Sequence, residues 1–155
     1  MVRVPEELLV HLRRARDLAD RHYAEPLDLE ALAATAGVSK YHFLRCFSAT
    51  YGKTPAVYLG ERRIERAQDL LRATNLTVTE VCLLVGYTSL GSFSTRFTQL
   101  VGTSPSAYQA KFAEHGAPRI PGCYVFMHGL SDRRTPKDPP PGSAISEKPD
   151  QPRPL

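Results

Sequence analysis

No apolar run in this 155-residue chain approaches the roughly 18 residues a membrane span needs. Nor does a basic segment followed by an apolar one open it, as a secretion signal would. Cysteine is scarce: Cys46, Cys82 and Cys123 are widely spaced and odd in number. That offers no zinc pattern and fits a reducing cytosol. The five histidines have no metal-ligand spacing either. No glycine-rich phosphate loop appears, and Ser104, Ser106 and His115 form no nucleophile motif. The expectation is therefore a protein that is no enzyme and needs no metal or cofactor.

Two further shortages are local. Between Glu30 and Glu61 there is no Asp or Glu, while Lys40, Arg45 and Lys53 lie inside; between Glu80 and Glu114 there is again none, with Arg96 and Lys111 inside. Net charge is only +4, so this distribution says more than the total. A phosphate-facing surface must exclude acids, because an acid beside a phosphate repels it. Proline is sparse before residue 118: Pro5, Pro26, Pro55 and Pro105 each precede or open an expected helix, and the other nine prolines fall between Pro118 and Pro154. That shift sets a boundary near residue 115.

What is present is a stretch that occurs twice. Ser39/Ser89, Phe43/Phe93, Phe47/Phe97, Gly52/Gly102, Pro55/Pro105 and Tyr58/Tyr108 all differ by 50. Ahead of them, Leu29/Val78, Leu32/Val81, Ala33/Cys82 and Gly37/Gly86 differ by 49. A fixed offset through so many matched positions marks a duplication of one supersecondary unit.

Each copy reads as helix, tight turn, helix. In the first, Asp28 is an N-cap, and Gly37 stops the helix because it accepts the left-handed conformation a helix C-terminus favours. Ser39 caps the next helix. Phe43, Cys46, Phe47 and Thr50 fall on one face expected to pack inward, and Lys40, Tyr41, Leu44 and Arg45 fall on the other. Cys46, between two phenylalanines of that face, reads as a small buried hydrophobe rather than a thiol sensor. In the second copy Thr77-Val78-Thr79-Glu80 matches a capping box. Gly86 ends that helix, Ser89 caps the next, and Phe93 and Phe97 face inward. A short helix, a glycine turn and a second helix with one polar face is the helix-turn-helix layout.

The domain expected on this basis is all-α and spans 5–113. It holds a helix over 5–23 with Leu8, Leu12, Ala15, Ala19 and His22 as its stripe, and helix-turn-helix units over 28–51 and 77–101. A linker helix over 55–74 joins the units, and a closing helix over 104–113 ends the domain. On the first helix, Arg13, Arg14, Arg16 and Arg21 read as a solvated face paired with Asp17 and Asp20. The linker carries Val57, Ile64, Ala67 and Leu71 on its apolar side and is expected to end at Asn75. Its roughly 30 Å length is close to one turn of B-DNA, about 34–36 Å. Residues 114–155 form a Pro-rich tail expected to be mostly disordered. The apolar segment Ile120–Met127 within it suits a short strand or packing on the last helices, and the patch Arg133–Lys137 reads as solvated.

The repeat, the linker, and above all Val85-Gly86-Tyr87-Thr88-Ser89-Leu90-Gly91-Ser92-Phe93-Ser94-Thr95-Arg96-Phe97 through Gly102-Thr103-Ser104-Pro105-Ser106-Ala107-Tyr108 resemble the AraC/XylS family of bacterial transcription regulators. The resemblance covers about residues 8–112. It implies a seven-helix, homeodomain-like monomer that inserts one recognition helix from each half into successive major grooves of double-stranded DNA, with contact to RNA polymerase. A place in the cytoplasm, at the nucleoid, follows. Only about seven residues precede the region of resemblance, so the chain is expected to be a stand-alone DNA-binding member. By position, Tyr41, Leu44 and Arg45 face base edges from the first recognition helix, and Leu90, Gly91 and Thr95 from the second. Ser39, Lys40, His42, Lys53, Ser89, Ser92 and Arg96 face the backbone. Arg45 is the foremost base reader, since a guanidinium bonds guanine O6 and N7 together. The second helix departs from the family pattern: Leu90 and Gly91 replace polar residues, and Arg96 stands one position after the usual arginine, a turn of about 100°. The first unit is therefore expected to read most of the sequence, with Gly91 allowing close approach. Gln109 stands where the family has an arginine. The competing reading is a helix-turn-helix module that binds a protein partner, or antagonises another regulator, without an operator of its own.

Overall fold

The computed structural model describes residues 2–114 and Pro121. The expectations placed on the remainder of the tail lie outside the described residues. Among the described residues there are seven α-helices: α1 (Glu6–Arg21), α2 (Leu29–Ala36), α3 (Lys40–Tyr51), α4 (Pro55–Ala73), α5 (Val78–Leu84), α6 (Leu90–Val101) and α7 (Pro105–Ala113). None of them is long and apolar enough to cross a membrane.

Local chemistry sets the boundaries. The Asp28 carboxylate accepts from Ala31 N–H at 2.7 Å, and Ser39, Thr54, Ser89 and Ser104 cap the first turns of α3, α4, α6 and α7 in the same way. At α5 the capping box is complete: Thr77 N–H donates to Glu80 at 2.7 Å, and Glu80 N–H to the Thr77 hydroxyl at 3.2 Å. Pro55 and Pro105 open α4 and α7, where a missing N–H leaves no bond unmade.

The duplication reappears as two aromatic ladders. Phe43 and Phe47 stand 5.5 Å apart, and Tyr58 meets Phe47 edge-on at 5.8 Å. Phe93 and Phe97 stand 5.8 Å apart, and Tyr108 meets Phe97 edge-on at 5.4 Å. All four phenylalanines are buried. Tilted and edge-on rings at these separations are the favoured geometry of aromatic pairs. Each half therefore nails its recognition helix to the helix that follows it through the same three rings.

The central helix departs from the expected pattern in one respect. Val57, expected on the core side, is 36 % exposed, while Leu59 and Leu70 join Ile64, Ala67 and Leu71 in the core. The reason is geometric. α4 is packed by α1 and α3 and by α5, α6 and α7. Leu59, Ile64, Ala67, Leu70 and Leu71 fall within one arc of about 140°, and Val57, just outside that arc in the first turn, lines an open groove instead. The helix stops at Ala73, before Asn75, and the buried Thr74 takes over as cap. Its hydroxyl donates to Leu70 O at 2.6 Å and accepts from Leu76 N–H at 3.3 Å. Thr50, also expected inside, is exposed and returns its hydroxyl to Cys46 O. His22 leaves the α1 stripe and pairs with Glu25, and the buried Tyr23 closes that end of the core. Asp20 turns from the α1 arginines to α4, accepting from the Tyr58 hydroxyl at 2.7 Å and lying 3.0 Å from Arg62 Nε.

Two predictions follow from this packing. Gly37 and Gly86 are equivalent turn residues with φ of 69° and 94°, but their surroundings differ. A Cβ on Gly37 meets open space, whereas one on Gly86 lies 2.8 Å from Ala24 O. Gly37→Ala should cost about 1–2 kcal/mol for the left-handed conformation alone. Gly86→Ala should cost about 1–3 kcal/mol more for the forced contact, read as the difference between urea midpoints. Burial, with the hydrogen bond to Asp20 and that carboxylate's charge, pushes the Tyr58 hydroxyl above its ordinary value of about 10. Folding thus favours the neutral phenol, so its contribution is complete below about pH 10 and is lost as pH rises beyond it. Melting curves from pH 9 to 11 should fall less steeply for Tyr58→Phe than for the wild type.

Candidate nucleic-acid interface

The two helices expected to read DNA, α3 and α6, share a feature their supporting helices lack. α2 and α5 carry Glu30 and Glu80 in their first turns, whereas α3 and α6 carry no acid there. A helix N-terminus holds partial positive charge and unpaired N–H groups, so an acid-free first turn leaves it open to phosphate. Ser39 and Ser89 serve as caps, their hydroxyls accepting from the N–H of His42 at 3.4 Å and Ser92 at 3.3 Å.

On α3 the outward face is large and cationic. Tyr41 is 72 % exposed, with the Lys40 ammonium 5.6 Å from its ring centre. Arg45 is exposed and pairs with no acid among the described residues. Leu44 is half-buried between that face and the core. His42 is exposed, and its ring lies 3.6 Å from the buried Cys46 sulfur. Cys46 occupies the inward face as expected of a small hydrophobe.

The outward face of α6 is neutral and small. Leu90 is 45 % exposed, and Gly91, Ser92 and Thr95 are exposed beside it. A Cβ on Gly91 meets only the Ser89 hydroxyl, at 3.8 Å, so the helix surface there is open. Arg96 does not join this face. It is half-buried and folds back over α4, its Nε 3.6 Å from where a Cβ on Gly60 would stand. It lines an open groove of about 540 Å³ between the halves, together with Val57, Gly60, Arg63 and Tyr87. The one-residue displacement of this arginine is thus expressed as a turn away from the recognition face.

The first acid-free window of the sequence is not acid-free in space. Glu30 reaches Lys40 at 3.3 Å, and Glu61 reaches Lys53. Both acids lie just beyond or at the edge of the first window and return through the fold. Exposed pairs of this kind are worth about 0–1 kcal/mol, so a phosphate competes with them readily.

Sequence reasoning missed Arg63 and Tyr87. The Arg63 Nε donates to Tyr23 O at 2.6 Å and its Nη2 to Glu25 O at 2.9 Å. Its guanidinium carbon lies 5.7 Å from the centre of the Tyr87 ring. Burial pulls the Arg63 guanidinium down from its ordinary value and pushes the Tyr87 hydroxyl up. The available signal was weak: one arginine among several in the charged run Glu61-Arg62-Arg63-Ile64-Glu65-Arg66 of α4. Gln109, in place of the family's arginine, donates to Leu76 O at 2.6 Å and ties α7 to the α4–α5 connection.

Two helix-turn-helix units in tandem, each presenting an acid-free helix from one shared central helix, define a duplicated helix-turn-helix DNA-binding domain. A family model described as a helix-turn-helix domain matches residues 32–111. The chain belongs to the AraC/XylS family of transcription regulators. It is 38% identical over 90 residues to the MmsAB operon regulatory protein of Pseudomonas aeruginosa, covering 58% of this chain and 29% of that protein. It is 30% identical over 90 residues to the regulatory protein SoxS of Escherichia coli K12, covering 58% of this chain and 84% of SoxS. The chain thus spans under a third of the first relative and most of the second. Among solved structures, the DNA-binding domain of the global transcriptional factor AdpA, in complex with a target DNA, superposes with a TM-score of 0.65 at 32% identity. That match covers 68% of this chain and 96% of that one. A probable AraC family transcriptional regulator from Rhodopseudomonas palustris superposes with a TM-score of 0.62 at 26% identity, over 66% of this chain and 97% of that one.

Freeing the two paired lysines should strengthen backbone binding. Glu30→Gln with Glu61→Gln is expected to raise affinity for duplex DNA about two- to fivefold at low salt, with the gain shrinking as salt rises. Fluorescence anisotropy titrations across a salt series would check this.

Proposed function

We propose that this chain binds double-stranded DNA as a monomer and regulates transcription by setting α3 and α6 into two successive major grooves, α3 supplying most of the base reading. The observation that carries this reading is the unequal pair of recognition faces. α3 offers an exposed Arg45 beside the exposed ring of Tyr41, and α6 offers Leu90, Gly91 and Thr95 with its arginine turned away. Arg45 suits bidentate contact with a guanine. Tyr41 and Leu44 suit the apolar edge of a thymine methyl. Leu90, Gly91 and Thr95 suit close apolar contact and the reading of groove shape.

Backbone contact falls to Ser39 and Ser89 through the capped N-termini, to Ser92, to Lys40, His42 and Lys53 from the first half, and to Arg96 once it leaves the groove. RNA polymerase is the protein partner this reading implies, in a cytoplasmic, nucleoid-bound setting. Selection of sites from random duplexes, at two salt concentrations, tests the proposal on the wild type and on Arg45→Ala. The expected result is an asymmetric site of about two helical turns. Arg45→Ala should lose about 1–3 kcal/mol at one base pair and little elsewhere. Greater base sensitivity in the α6 half-site would refute the dominance of α3. Absence of binding at both salts would move the chain to the protein-interaction reading.

A further inference from the structure

We propose that Arg63 is a positioning residue that fixes the two recognition helices relative to each other, and so sets the half-site spacing the chain accepts. The proposal rests on the DNA-binding reading above. Its basis is that the halves meet at few places. Helices of the first half and of the second pack on α4 rather than extensively on one another. A continuous α4 fixes how far apart the halves lie along its axis, about 28 Å for its length. It does not by itself fix how each half swings about that axis.

Arg63 bears on that second freedom because it touches both halves from α4. Its two nitrogens hold the carbonyls of Tyr23 and Glu25, in the connection between α1 and α2. Its guanidinium carbon lies 5.7 Å from the ring centre of Tyr87, in the turn between α5 and α6. Tyr87 in turn packs 5.4 Å from Phe93 on the recognition helix. A displacement of α6 is thus felt at the Arg63 guanidinium through two rings, and the guanidinium is held by two bonds to the other half.

A second observation marks the same place. The turn glycine of the second copy presses on the Ala24 backbone, while its counterpart Gly37 in the first copy faces open space. One unit was duplicated, yet only the second turn is packed, and it is packed against the Tyr23–Glu25 segment that Arg63 holds. Lysine would not replace this arginine, since one ammonium lacks the planar fork that spans two carbonyls and stacks on a ring.

Rigid presentation matters for a two-site binder. The second contact benefits from a high effective concentration only when its position matches the span, and loosening the linkage spreads that advantage over many spacings. Two measurements test the lock on the full chain, using Arg63→Ala, Arg63→Lys and Tyr87→Leu. The first is independent of DNA. Spin labels carried by unnatural amino acids at Ala49 and Gln99, exposed and equivalent in the two copies, report the distance between α3 and α6. A single narrow distribution is expected for the wild type and a broader one for each variant. An unchanged distribution in Arg63→Ala and Tyr87→Leu overturns the proposal.

The second measurement is affinity for operators whose half-sites are moved apart or together by about one or two base pairs. Arg63→Ala should lose about tenfold at the preferred spacing and discriminate less between neighbouring spacings. Its pattern of base preference within each half-site should be unchanged. A spacing profile as sharp as the wild type's overturns the proposal. If the wild type binds none of these duplexes, the DNA-binding reading fails, and the distance distributions alone decide the lock. If Arg63→Ala does not fold, Arg63→Lys and Tyr87→Leu carry both measurements.

Discussion

Everything in this fold depends on one helix being buried by two cores. Neither aromatic ladder closes a hydrophobic interior without α4. Leu59, Ile64, Ala67, Leu70 and Leu71 carry the core along the helix. Burying an aliphatic side chain of this size contributes about 1.5–3 kcal/mol, whereas an exposed ion pair contributes about 0–1. The pairs along the outer face of α4, Arg62 with Glu65 and Arg66 with Asp69, are thus secondary to the apolar residues in holding it. They shape the surface and leave the core to join the halves. Both halves therefore share one buried face of the same helix. Val57 and Gly60, in its first two turns, line the groove between the halves rather than either core.

The parts of this architecture that were legible in the sequence are those written in local chemistry and repeated. Caps at Asp28, Ser39, Thr77 and Ser89, stops at Gly37 and Gly86, and inward rings at Phe43, Phe47, Phe93 and Phe97 depend on neighbours within a few positions, and each appears twice. The parts that were not legible need two segments to meet. Periodicity assigned Val57 to the core because it sits seven residues before Ile64, and only the fold shows that the first turn of α4 faces an open groove on that side. The acids at Glu30 and Glu61 stand at the edges of an acid-free window, yet lie beside Lys40 and Lys53 once the helices fold. Arg63 and Tyr87 have no common local signal. Their contact exists because α4 crosses beneath the second turn, and one sequence without its fold holds no record of that crossing.

The site was legible in kind and less so in detail. That Arg45 and Tyr41 face outward follows from the inward spacing of Phe43, Cys46 and Phe47, and the structure leaves both exposed. That Arg96 turns from the α6 face follows from its one-residue displacement. Where it goes, over Gly60 of α4, depends on a glycine in another element that leaves room for it.

The unequal recognition helices and the contacts around Arg63 bear on one another. Under the proposed reading α6 offers DNA a helix N-terminus, two hydroxyls and a small apolar patch, and no free cation on its outward face. Contacts of that kind are weak for an independent reader. They become useful when the strong contact of α3 delivers α6 to the next groove at a fixed distance and angle, since the second association is then nearly intramolecular. A neutral second helix on a flexible tether would add little affinity and less selectivity. The same helix on a rigid frame adds a length requirement to the operator, because DNA whose next groove is out of phase does not meet it. A weak second recognition helix therefore calls for a firm joint between the halves, and that joint lies where Arg63 holds the Tyr23–Glu25 segment on one side and Tyr87 on the other.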